Sequence, residues 1–210
     1  MLALILAVFS ASPVAAESLK LTDAPRYTVT ASDNKAYYVG AIGGTINGGT
    51  KANYYCDDFA STASIGATYN VLVSTLSNLS TAKFKGTDAL QKYQQVGWLM
   101  YQMEINPLDK NKTAAIQFAM WSVFTPSAPT YEGSADWLEA SRNINAGSYD
   151  FSQMRIYTPT SSGIQEFVGG HVGLSAVPEP AEWMLLIIGL GLITYSVHRN
   201  RVGDVVQIAA

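Results

Sequence analysis

Cysteine is almost absent from this chain: one, Cys56, in 210 residues. Histidine is nearly as scarce, with His171 and His198 the only two. A lone cysteine excludes an internal disulfide. The histidines lie late in the chain, in a Gly-rich stretch and beside an apolar run, so no His-based triad and no zinc cluster can be assembled from them. Charge is also sparse and balanced, 13 basic against 16 acidic residues for a net −3, with no basic stripe. Nucleic acid and acidic polymers are therefore not expected as partners. The Gly-rich run Gly40–Gly49 lacks the Lys-Ser/Thr of a phosphate loop and opens no helix. No cofactor or metal is expected, and no catalytic set of a turnover enzyme is visible.

Long uncharged runs occur at the two ends. MLALILAVFSASPVAA, residues 1–16, has an apolar run and then small residues, with Val14 and Ala16 suited to the −3 and −1 positions of a signal-peptidase site. No Lys or Arg precedes the run, so the usual basic n-region is missing. Near the other end, Trp183–Val197 carries no charge. As a helix it spans roughly 22 Å, short of a hydrocarbon core of about 30 Å. Trp183 at one edge and snorkelling Arg199 and Arg201 at the other can supply the difference. The positive-inside rule then puts both arginines in the cytoplasm and residues 17–180 outside. The expected layout is a signal peptide over 1–16, an ectodomain over 17–170, a tether over 171–180, a transmembrane segment over 181–201 and a cytoplasmic tail over 202–210.

The C-terminal elements have a recognisable order. Pro178, Glu179 and Pro180, then the apolar span, then Arg199 and Arg201, resemble the PEP-CTERM sorting signal. That resemblance implies an exported protein of a Gram-negative envelope, held in the inner membrane with a periplasmic ectodomain. It also implies an exosortase-type enzyme as a partner and processing toward the cell surface or extracellular matrix. Asn200 interrupts the basic cluster, and a nine-residue extension follows it. A plain membrane anchor after a Pro-rich hinge is the alternative.

The body, about 160 residues, suits one domain with one core. Its first part reads as strand: Arg26–Ala31, Ala36–Ile42, Tyr54–Cys56 and Thr68–Leu76, with Gly43–Gly49 as a turn. Three helices follow: Thr87–Glu104 with Thr87 as cap and Leu90, Tyr93, Gly97 and Met100 on its stripe, about Lys110–Phe124 stopped by Pro126, and Ser134–Asn145 capped by Ser134. Tyr149–Tyr157 and Gly163–Val168 return to strand. The expected fold class is α+β, an antiparallel β-sheet or sandwich ectodomain with a helical insert, plus one C-terminal transmembrane helix.

Two residues in the body are out of place. Cys56 is a leftover thiol in an exported chain, either buried and inert or chemically active. Gln117 sits within the apolar run Ala114–Trp121, one helical turn before Trp121 on the same face. Buried there, its amide needs a partner, because an unpaired one costs about 1–3 kcal/mol. A border position, with the amide reaching water or a backbone carbonyl, is the other reading.

Tyr55-Cys56 and Ile116-Gln117-Phe118-Ala119-Met120-Trp121 resemble the two half-motifs of the thioester domains of bacterial surface adhesins. The second half-motif is complete. In the first, Asp57 stands where a hydrophobic residue belongs. The resemblance implies that the Cys56 sulfur and the Gln117 side-chain carbonyl condense, with loss of ammonia, into an internal thioester. An amine on a partner surface or matrix polymer would then attack it and leave an amide on Gln117. Such a bond former is used once and is not an enzyme. Tyr54, Tyr55, Phe59, Trp98 and Trp121 are the candidates for its apolar cover. Asp57 and Asp58 raise the thiol's pKa if they lie close and charged; either could act as a general base or point to solvent. The alternative function is a structural protein of the envelope or biofilm matrix with the same targeting and no thioester.

Overall fold

The computed structural model describes residues 15–175. Most of the signal peptide lies outside the described residues, as do the Pro178–Pro180 motif, the apolar span, Arg199, Arg201 and the tail. Among the described residues no helix is long and apolar enough to cross a membrane.

Directly after the expected cleavage point the chain forms a strand that the sequence reading leaves unassigned. β1, Glu17–Asp23, alternates in burial: Leu19 and Leu21 are fully buried and Lys20 between them is exposed. It pairs antiparallel with β4, Ile42–Ile46, and with β6, Thr68–Ser74. The existence of β4 corrects the expected turn over Gly43–Gly49. Only its second half turns, with Asn47 and Gly48 at positive φ. Gly43 and Gly44 are strand residues chosen for closeness: a Cβ on Gly44 would lie 2.8 Å from the Lys20 carbonyl oxygen and 3.1 Å from the Tyr54 ring.

β5, Lys51–Cys56, runs beside β4; β9, Phe167–Gly169, beside β5; and β8, Arg155–Pro159, joins β9 to β6. The order β1-β4-β5-β9-β8-β6 closes on itself, so the expected antiparallel sheet is a six-stranded barrel with no open edge. A separate hairpin, β2 (Tyr27–Thr30) with β3 (Ala36–Val39), lies between β1 and β4 in sequence. The strand expected over Tyr149–Tyr157 is broken by a turn into β7, Tyr149–Asp150, and β8. β7 pairs with β10, Gly173–Leu174, and Val172 is fully buried. The first residues of the expected tether therefore belong to the fold.

The three helices form the insert between β6 and β7. α1, Ala89–Glu104, starts after Asp88, not Thr87, and without a side-chain cap. Its buried face includes Tyr93, Val96, Gly97, Met100 and Met103, while Leu90 is 47% exposed, so the expected stripe is rotated by part of a turn. Gly97 lets α1 approach the turn before β8: a Cβ there would lie 2.6 Å from the Met154 sulfur. α2, Lys110–Phe124, is capped by Asp109, whose carboxylate accepts from the Lys112 N–H. α3, Ser134–Arg142, follows Gly133 at φ 77°, and the Ser134 hydroxyl accepts from the Tyr131 N–H instead of capping the helix.

α2 is buried on nearly every side from Thr113 to Trp121, which marks a central helix more than an amphipathic surface one. Ile116, Ala119, Met120 and Val123 pack with α1 residues and with Ile156 and Val168. Ala114, Phe118 and Trp121 pack with Leu19, Leu21, Val39, Tyr54, Cys56 and Phe167. Gln117 lies between these two apolar clusters.

Candidate functional site

The site forms where the end of β5 meets α2. Residues of β5 alternate between the clusters: Tyr54 and Cys56 join the barrel cluster, and Tyr55 between them joins the helical one. Cys56, the last residue of β5, is 5% exposed and opposite Phe167 of β9. Gln117 is 1% exposed, and its Nε2 donates a 2.7 Å hydrogen bond to the Cys56 main-chain carbonyl. The two residues singled out in the sequence are thus in direct contact, 61 positions apart. The bond also answers how a buried amide is tolerated in an apolar helix.

The apolar cover differs in part from expectation. Trp121 packs against Phe118, Phe59 and Tyr37, with ring centroids 4.9, 5.4 and 5.9 Å away. Trp98 belongs to the other cluster and packs against Trp137 of α3, 5.8 Å away, and Tyr55 faces that same cluster. Tyr37 and Phe118 are cover residues that sequence reasoning missed. Phe118 follows Gln117 directly, and Tyr37 comes from β3, for which no local pattern indicated a role.

The thiol is dry. Its Sγ donates to the Asp58 carbonyl oxygen at 3.3 Å. Burial pushes its pKa far above the ordinary thiol value. Free thiolate is therefore scarce at neutral pH.

Neither aspartate points to solvent, which overturns that reading: Asp57 and Asp58 are both fully buried. They belong to a polar cluster with Glu166, also fully buried. Lys83 forms a short ion pair with Asp58 and donates to the Ser61 hydroxyl at 2.7 Å. Glu166 accepts from the Lys83 backbone N–H at 2.7 Å, from the Tyr93 hydroxyl at 2.5 Å and from the Thr158 hydroxyl. Asp57 has no hydrogen-bond partner on either oxygen. Burial, and then the charges of Glu166 and Asp58, raise its pKa well above the carboxylate range. Burial also raises Glu166, against the pull of its three donors. Glu166 was missed in the sequence, although an acidic residue within Ile164-Gln165-Glu166-Phe167-Val168 was a visible irregularity.

A cavity of about 460 Å³ opens nearby, lined among others by Asn53, Tyr55, Glu104 and Thr113. Thr113 stands one helical turn before Gln117 on α2, and its buried hydroxyl has no partner. Burial raises the Glu104 carboxyl at the cavity's side, with His171 opposing.

No family model and no curated protein matches the chain. Among solved structures it is similar to the N-terminal thioester domain of a surface protein from Clostridium perfringens, at 13% identity and TM-score 0.46, over 75% of this chain and 99% of that one. It is similar also to the N-terminal thioester domain of the fibronectin-binding protein SfbI from Streptococcus pyogenes, at 11% identity and TM-score 0.45, over 79% of this chain and 98% of that one. A third likeness is to the N-terminal domain of the Streptococcus pyogenes pilus tip adhesin Cpa, at 12% identity and TM-score 0.46, over 77% of this chain and 96% of that one. The contact between Cys56 and Gln117, and not these distant likenesses, carries the functional reading.

Proposed function

We propose that the domain is an adhesin-like surface module that binds a partner covalently through an internal thioester between Cys56 and Gln117. The observation that carries this is the placement of the Gln117 amide on the Cys56 carbonyl in a site closed by Trp121, Phe118, Phe59 and Tyr37. The Cys56 sulfur attacks the Gln117 side-chain carbon, the C–N bond breaks and ammonia leaves. Holding the two groups together replaces a bimolecular encounter, which supplies much of the rate. Excluding water protects the stored acyl group from hydrolysis. An amine on a surface or matrix polymer then attacks the same carbon, the thiol leaves, and an amide joins the partner to Gln117. The cavity beside Thr113 offers that amine an approach ending one helical turn from Gln117. The chain acts once, not as an enzyme. Export through residues 1–16, and retention or exosortase processing through Pro178–Pro180 and Arg199/Arg201, would display it at the envelope.

One observation favours a second reading. A thiol bonded to a carbonyl and raised in pKa by burial is the environment of an inert structural cysteine. On that reading the chain is a non-catalytic structural protein of the envelope or biofilm matrix. A fluorescent alkyl amine separates the two. Labelling that maps to Gln117 and frees one thiol per label supports the thioester; a protein that stays unlabelled, with its thiol titratable on unfolding, supports the structural role.

A further inference from the structure

We propose that the Lys83–Asp58 ion pair condenses to an intramolecular amide, so that the fold carries a covalent cross-link between the end of β5 and the segment before α1. Lys83 Nζ is in direct contact with Asp58 Oδ2, 25 positions away in the chain. The bond uses neither Cys56 nor Gln117 and forms independently of their thioester.

Each reacting group is held by further contacts. The Ala60 N–H donates to the other Asp58 oxygen, Oδ1, at 3.1 Å, and Lys83 Nζ donates to the Ser61 hydroxyl at 2.7 Å. The main chain is fixed on both sides as well. The Asp58 carbonyl accepts from Gln165 Nε2 at 3.2 Å, and the Lys83 N–H donates to the buried Glu166 carboxylate at 2.7 Å. An amine and a carboxyl held in this way can reach effective molarities of roughly 10⁵–10⁸ M. The Asp58 side chain is wholly shielded from water. Water is the product of condensation and the reagent of its reversal, so that shielding favours the amide. Condensation also removes two opposite charges whose burial is costly.

The pair holds every atom the reaction needs. One proton passes from the Lys83 ammonium to Asp58 Oδ2, which leaves a free amine. Its nitrogen moves from Oδ2 to the adjoining Cγ and forms the new C–N bond, and negative charge gathers on Oδ1, where the Ala60 N–H already donates. The Cγ–Oδ2 bond then breaks, a second Nζ proton joins Oδ2, and water leaves. The third Nζ proton remains as the amide N–H.

A chain with one cysteine has no disulfide to close its loops. An amide between Asp58 and Lys83 restrains the unfolded chain in the same way. It also fixes the residue whose carbonyl accepts from the Cys56 thiol.

Tryptic mapping of the full-length protein tests the cross-link. Methylamine first opens any thioester and frees Cys56 for alkylation, so that the chemistry of Gln117 is read separately. No Lys or Arg lies between Lys51 and Lys83, so a free Lys83 yields a peptide of residues 52–83 at its sequence mass. The amide blocks cleavage after Lys83, and the expected product is residues 52–85, lighter by one water. Chymotrypsin, cutting inside the closed loop, is expected to convert it to a branched peptide joined through Lys83 and Asp58. Lys83→Arg keeps the charge and the cleavage site, and is expected to release residues 52–83 with no water lost. The wild-type digest decides by itself. Cleavage after Lys83, or a peptide of full sequence mass, overturns the cross-link, whether or not Gln117 has taken up methylamine.

Discussion

The side-chain amide of Gln117 is hydrogen-bonded to the main-chain carbonyl of Cys56 at 2.7 Å, joining the central helix to the end of a barrel strand. Both residues are buried, so the bond has structural as well as chemical consequences. In a Cys56→Ala background, where no thioester can form, Gln117→Ala leaves that carbonyl without its donor. The expected loss is about 1–3 kcal/mol, read as a lower urea midpoint at unchanged slope.

The Lys83–Asp58 pair makes a separate prediction. Asp58 is fully buried and the Lys83 side chain is about one-third exposed. Lys83→Met strands the carboxylate and is expected to destabilise by about 3 kcal/mol. Adding Asp58→Asn recovers part of that loss, so the double variant is more stable than the sum of the singles. A thermodynamic cycle from urea denaturation measures the coupling, and additive effects would show that the pair contributes nothing.

Asp57 ties stability to pH. Its pKa is raised in the folded state, so above the ordinary aspartate value of about 4 the unfolded chain has lost a proton that the folded chain keeps. Stability from this group therefore falls as pH rises, by up to about 1.4 kcal/mol per unit until the folded carboxyl ionises. Asp57→Asn removes the effect. The variant is expected to melt higher than wild type at pH 7, with the difference shrinking toward pH 4. A constant difference across that range would contradict the raised pKa.

Gly170 marks where the chain leaves β9, at φ 87°, and a Cβ there would sit 2.0 Å from the Gln153 carbonyl oxygen. Backbone faces backbone, so no side-chain rotation relieves the clash. Gly170→Ala is expected to cost about 2–4 kcal/mol, visible as a lower thermal midpoint.

The three helices were legible because a 3.6-residue pattern and turn residues act locally. Closure of the barrel was not, since it depends on β1 and β4. Only Leu19 and Leu21 advertise β1, and the glycines of β4 read as a turn until Lys20 and Tyr54 are seen pressing on them. Cys56 and Gln117 stood out because each is a lone exception in its surroundings. The buried acids were half visible. Asp57 and Asp58 could be seen beside the thiol, but their burial is set by Lys83, Tyr93, Thr158 and Glu166, which only the fold brings together. Trp98 suggests itself for the site by residue type alone, and its packing against Trp137 of α3 places it elsewhere; alternation along β5 turns Tyr55 to the same helical cluster.

Intact mass of the purified protein, beside a Cys56→Ala variant prepared in the same way, tests the central claim most directly. After allowance for the substitution, the wild type is predicted to be lighter by one ammonia, and methylamine is predicted to add one equivalent to it and none to the variant. Equal corrected masses, with a thiol that titrates fully on unfolding and no uptake of methylamine, would contradict the thioester.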